Sequence, residues 1–153
     1  MAELKQRLRD DLTASIKARD SLRSSTLRMV ISAVTNAEVA GKEARELTDA
    51  EVLDVIGKEQ KKRREAAEAY DEAGRDELAT KERDESAIIS EYLPEPLSDD
   101  EVSAIVAAAI ESSGAAGEGM RAMGKVMGMV QPQVKGRADG SAVAAEVKRQ
   151  LAD

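Results

Sequence analysis

Histidine and cysteine are absent from this 153-residue chain, and so are phenylalanine and tryptophan. Without histidine there is no imidazole acid–base catalysis and no ordinary zinc site. Without cysteine there is no disulfide, thiolate nucleophile or iron–sulfur ligand. Tyr70 and Tyr92 are the only aromatics. So few rings leave poor means of stacking bases. Strands draw on aromatic and β-branched residues, so a β-rich fold is disfavoured too. No apolar run approaches the roughly 20 residues of a membrane span. The first turns carry Glu3, Lys5 and Arg7 rather than a signal peptide's apolar core. The expectation is a soluble, cytoplasmic protein with no membrane partner and no metal.

What is present points to helices. Leu, Ile and Val together number 30, a low total for a chain with 35% charged residues, and close to the composition of disordered proteins. Alanine, the best helix former, restores the globular reading with 26 residues. The net charge of −7 argues against a polyanion-binding surface over the whole molecule. A local basic patch stays open.

Periodicity places seven helices. Leu4, Leu8, Leu12 and Ile16 mark the first. Leu22, Leu27, Val30, Ile31 and Val34 mark the second, with Asp20 or Ser21 as N-cap and Gly41 as its stop. Residues 42–47 read as a loop. Thr48 and Glu51 have capping-box spacing and open a third helix that runs to Ala73, ended by Gly74. A fourth runs from Asp76 to Tyr92. Pro94 and Pro96 then bar any helix, giving a linker over 94–98 between an N-terminal domain, 1–93, and a small tail domain, 99–153. Ser98 and Glu101 form a second capping-box pair, before Val102, Ile105, Val106, Ala109 and Ile110. Residues 112–119 read as a flexible connection. Met120, Met123, Val126, Met127 and Val130 mark a sixth helix that Pro132 ends or kinks. Val134 to Gly140 form a connector, and Asp139 caps a last helix carrying Val143, Val147 and Leu151. The fold class is all-α: a helical N-terminal domain with a long antiparallel hairpin, and a three-helix tail.

The third and fourth helices predict their own register. One stripe passes through Val52, Ile56, Glu59, Arg63, Ala66 and Tyr70, the other through Leu78, Glu82, Glu85, Ile89 and Tyr92. Folded about Gly74, a single register sets Tyr70 against Leu78, Ala66 against Glu82, Arg63 against Glu85, Glu59 against Ile89 and Ile56 against Tyr92. A buried Arg63–Glu85 ion pair then fixes the hairpin, making misregistered pairing costly. A polar pocket lined by Glu59, Arg63, Glu82 and Glu85 is the alternative, since carboxylate pairs do acid–base work or hold divalent ions. The remaining parts of such a site are missing. The basic run Lys58, Lys61, Lys62, Arg63 and Arg64 invites an RNA reading, but Asp54, Glu59, Glu65 and Glu68 interleave with it as on a solvated helix face.

The tail differs in chemistry. Residues 119–149 hold six basic residues against Asp139 and Glu146, reversing the sign of the chain. Phosphates are the natural partner of such a surface. Gly124 and Gly128, four apart, leave one helix face bare for close backbone approach. The methionines of this helix read as core.

These residues also carry a resemblance. "LRMVISAV", "EAYDEAGR" and "EYLPEPLSDDE", and above all "MGKVMG" followed by "VKGRADG", resemble the GatB/YqeY family over essentially the whole chain. The tail is similar to the tail domain of the B subunit of the tRNA-dependent amidotransferase, which converts misacylated Glu-tRNA or Asp-tRNA to the Gln or Asn form. The resemblance implies an all-α fold. It implies tRNA as partner, with Gly124, Lys125, Lys135, Gly136 and Arg137 as the RNA-binding positions. It does not imply catalysis, and the expectation is of no catalytic residue and no cofactor. The chain resembles neither the amidase nor the nucleotide-binding body of that enzyme and has no Gly-rich phosphate loop. The leading expectation is an accessory tRNA-binding protein in amidotransferase-type aminoacyl-tRNA maturation. The alternative is a protein-interaction module docking on a translation factor or enzyme. Carbon–nitrogen ligase activity with glutamine as amide donor is a third reading, resting on the shared domain alone. For Gly136 and Gly140 a plain turn role competes with the RNA role.

Overall fold

Asp20, Thr48 and Ser98 each take up a backbone N–H at a helix start, and these caps fix where three of the helices begin. The structure is a computed structural model and describes residues 2–152. Its helices are α1 (Glu3–Lys17), α2 (Ser21–Val39), α3 (Asp49–Glu72), α4 (Asp76–Ser90), α5 (Asp99–Ser113), α6 (Met123–Val134) and α7 (Gly140–Ala152), with a 3-10 turn at Gly119–Ala122. No strand occurs among the described residues. The chain forms two units, Met1–Leu93 and Pro94–Asp153.

In the first unit α1 and α2 pair, α3 and α4 form a hairpin, and α2 packs on both arms of that hairpin. The core gathers Leu8, Leu27, Val30, Val34, Leu47, Val52, Ile56, Ile89 and Tyr92. Each aliphatic side chain so buried contributes about 1.5–3 kcal/mol. The capping box at Thr48 forms in both directions, Glu51 N–H to Thr48 Oγ1 at 3.3 Å and Thr48 N–H to Glu51 Oε1 at 3.4 Å. Gly74 ends the hairpin's first helix at φ +73°.

Several boundaries and faces differ from the sequence reading. Ile16 is 48% exposed, while Lys5 and Ser15 are buried. Steps of four residues overrun a helical turn by about 40° each, so the stripe from Leu4 has left the buried face by Ile16. Gly41 does not adopt a positive φ. Instead the Glu38 carbonyl accepts from Arg45 N at 3.0 Å, and its carboxylate accepts from Leu47 N at 3.1 Å. In α3 Ala67 is buried ahead of Ala66, and in α4 Ala79 is buried while Leu78 is 39% exposed. At the tip the predicted stripes are less buried than expected: Tyr70, Ala66 and Glu82 are half-buried and Leu78 is exposed. The fourth helix ends at Ser90, two residues early, in tighter turns such as Tyr92 N to Ile89 O at 3.1 Å.

The second unit has a core made chiefly of valine. Val102, Val106, Val126, Val130, Val134, Val143 and Val147 close it, with Leu151, Ala109, Ala115 and Ala122. Ser98 accepts from Glu101 N at 3.1 Å, the one half of the expected capping box that forms. Residues 112–119 are not a loose connection. Gly114 sits at φ +69°, Gly114 N reaches Glu111 O, Ala115 N reaches Ile110 O, and Ala115 is fully buried. This is a Schellman stop. Met120 lies in the 3-10 turn, 48% exposed, so it is not part of the core. Pro132 does not end α6, which runs on to Val134. The proline removes one hydrogen bond, to the Gly128 carbonyl, on a solvent-facing side where water can replace it. Asp139 Oδ1 accepts from Ser141 N at 3.1 Å and caps α7.

Candidate nucleic-acid interface

The α6 helix turns Val126, Val130 and Val134 inward and leaves Gly124, Lys125, Gly128, Gln131 and Pro132 exposed. A methyl group built on Gly124 or Gly128 meets nothing within 4 Å. Neither glycine is there to relieve crowding within the chain. From Gly119 to Ala138 there are four basic residues and no acidic one. Arg121, Lys125, Lys135 and Arg137 are all exposed.

The predicted RNA-binding positions differ in their local roles. Lys125 Nζ stands 3.9 Å from Glu118, a loose and exposed pair. Lys135 is exposed at the end of α6. Gly136 has φ +76° and carries the turn in which Arg137 N and Ala138 N both reach Val134 O, at 2.8 and 3.1 Å. Gly140 needs no such conformation. Arg137 is tied to the proline segment: its Nε donates to Glu95 O at 3.1 Å, and its carbonyl accepts from Leu97 N at 2.7 Å. The residues assigned to a linker are thus stitched into the second unit. Arg121 was not singled out from the sequence. Its signal was membership of the same acid-free stretch.

The hairpin's polar stripe is an ion network. Arg63 Nε lies 3.2 Å from Glu85 Oε2, and Arg63 Nη1 donates to the Glu59 carboxylate and carbonyl at 2.8 and 3.0 Å. Arg63 and Glu85 are buried, and Ile56 and Tyr92 share one core. The Glu59 carboxyl is held below its usual range: burial pushes it up, but Arg63 and Lys62 outweigh that. Burial, with Glu85 beside it, pushes the Glu82 carboxyl up. Among the described residues no group of three His, Cys, Asp or Glu is placed to hold a metal. Within the basic run Lys58, Lys61, Lys62 and Arg64 are exposed, and Lys62 pairs with Glu59 at 3.1 Å.

Two clusters were missed in the sequence. Lys5 Nζ meets Glu38 Oε1 at 2.5 Å, both buried, and the Lys5 bond holds the Glu38 carboxyl below the usual range. The Tyr92 hydroxyl donates to Asp11, and the Arg7 guanidinium lies 4.6 Å from the Tyr92 ring centre, where a cation is attracted by the ring face. Burial pushes the Tyr92 hydroxyl above its usual range, and Asp11 adds to the shift. Charged residues on short amphipathic repeats give no advance sign of which partner they will meet.

The family of Yqey-like proteins matches residues 5–151. The chain belongs to that family. Among its relatives are two fungal proteins called altered inheritance of mitochondria protein 41, mitochondrial. The one from Clavispora lusitaniae is 33% identical over 61% of this chain and 54% of its own length. The one from Pyrenophora tritici-repentis is 28% identical over 86% and 71%. A Schizosaccharomyces pombe protein, uncharacterized protein C22F3.15, is 35% identical over 58% and 70%. The aligned part thus spans about half the length of the Clavispora relative. This Yqey-like chain has no helix, among the described residues, long and apolar enough to cross a membrane.

Proposed function

We propose that this Yqey-like protein is a binding protein whose tail engages tRNA, as an accessory to amidotransferase-type aminoacyl-tRNA maturation in the cytoplasm. One observation carries the reading: Arg121, Lys125, Lys135 and Arg137 are exposed along twenty residues without an acid, in a chain of net charge −7. Such a strip gives phosphates an attractive surface on an otherwise repelling molecule. The bare Gly124–Gly128 face lets a ribose–phosphate backbone come close. With two tyrosines in the chain, shape rather than base stacking governs recognition.

The test is a salt titration of tRNA binding. The triple variant Arg121→Ala/Lys125→Ala/Lys135→Ala should lose about 0.7–0.9 in the slope of log affinity against log salt per lost phosphate contact. Arg137 is left in place because its side chain holds the proline segment. A control, Lys58→Ala/Lys61→Ala on α3, should keep the wild-type slope. An unchanged slope in the tail variant, or a lowered one in the control, defeats the assignment.

A further inference from the structure

The α3–α4 hairpin changes character at Gly57. Up to Ile56 on α3, and again from Ile89 on α4, its inward residues join the core of the first unit. Between them the buried residues are Arg63, Ala67, Ala79 and Glu85, none of which belongs to that core. We propose that residues 58–88 form a hinged arm that opens as a separate cooperative unit while the core of the first unit stays folded, with Arg63–Glu85 as its latch.

Three observations converge. First, the arm buries little apolar surface: two alanine methyls are inside, Leu78 is 39% exposed and Tyr70 is half-buried. Second, its interior is mostly an ion network, and such a network contributes little net stability because two charges must leave water. The exposed Asp71–Arg83 pair near the tip adds little more. Third, Gly57 sits inside α3 with helical φ and open space where a Cβ would be. No turn or close contact requires it. Glycine is the weakest helix former after proline, so α3 is weakest one residue beyond its last fully buried core side chain. Segments with few buried apolar contacts open at lower free energy than the global transition.

Native-state hydrogen exchange on the full chain tests this. Amides of residues 63–82 should exchange through a common opening at least tenfold faster than the slowest amides of α2, with a shallow dependence on guanidinium. Val30→Ala weakens the core outside the arm. It should speed the α2 amides tenfold or more and leave the arm amides unchanged. Glu85→Gln should speed the arm amides roughly tenfold, and Gly57→Ala should slow them about fivefold. Equal rates and equal guanidinium slopes for arm and α2 in the wild type overturn the proposal. So does a Val30→Ala variant whose arm and α2 amides accelerate together. Arm rates unmoved by Glu85→Gln remove the latch.

Discussion

Arg63 Nε and Glu85 Oε2 meet 3.2 Å apart inside the hairpin, with 4% and 6% of their side chains exposed. Glu59 holds the other side of the guanidinium. Such a pair discriminates against wrong registers more than it stabilises the right one. Glu85→Leu should therefore cost about 3 kcal/mol, the lower end of the range for breaking a buried pair, because Glu59 still faces Arg63. Arg63→Met/Glu85→Leu should recover to within about 1 kcal/mol of wild type, since an apolar pair replaces the ions. Urea denaturation of the three proteins decides it. A double variant no more stable than the single one contradicts the pairing argument.

Tyr92 gives a prediction with a pH sign. Burial and the bond to Asp11 raise its folded pKa above the unfolded value, so the folded state holds that proton more tightly. The associated stability is fully present below the ordinary tyrosine range, near pH 10, and is lost as pH rises above it. Tyr92→Phe should cost about 1 kcal/mol at neutral pH, through the lost hydrogen bond. Above pH 10 its stability should fall less steeply than the wild type's. Parallel stability curves from pH 8 to 11 would show that Tyr92 contributes no such linkage.

How much of this was legible in the sequence depends on what each residue must do. Thr48, Asp20 and Gly74 act through local geometry, and local geometry is written in short spacing. The Arg63–Glu85 facing was legible because two long stripes constrain one another. The tip was not: Ala67 and Ala79 are buried there in place of Ala66 and Leu78, and with no residue of the tip in the core of the first unit, no apolar stripe fixed which side chain turns inward. Lys5–Glu38 and Tyr92–Asp11 join residues 33 and 81 positions apart, with no pattern linking them beforehand. On the tail, charge inversion marked the stretch, but spacing could not show that Arg137 is bonded to Glu95.

Gly136 and Gly140 should respond differently to alanine. Gly136 holds φ +76°, where a Cβ is strained, and Gly136→Ala should destabilise the protein by about 1 kcal/mol. Gly140 opens α7 without a positive φ and with open space around a Cβ, so Gly140→Ala should be neutral or stabilising by up to about 1 kcal/mol. Thermal unfolding of the two single variants separates them. Equal losses would mean that the turn does not select for glycine by conformation.

Alanine at Gly124 and Gly128 separates folding from recognition. Both glycines lie within α6, both are exposed, and neither would crowd a neighbour if it carried a methyl group. On helix propensity alone each substitution should raise stability, by up to about 1 kcal/mol. The proposed RNA face requires the opposite sign for binding. Two methyl groups would hold a ribose–phosphate backbone away from the helix, and tRNA affinity should fall about tenfold at fixed salt. The salt slope should stay at its wild-type value, because no cation has been removed. The measurements are a melting curve and a tRNA salt titration on Gly124→Ala/Gly128→Ala. A variant that is more stable and binds tRNA as tightly as wild type would take the glycine face out of the interface and leave the basic residues to carry it alone.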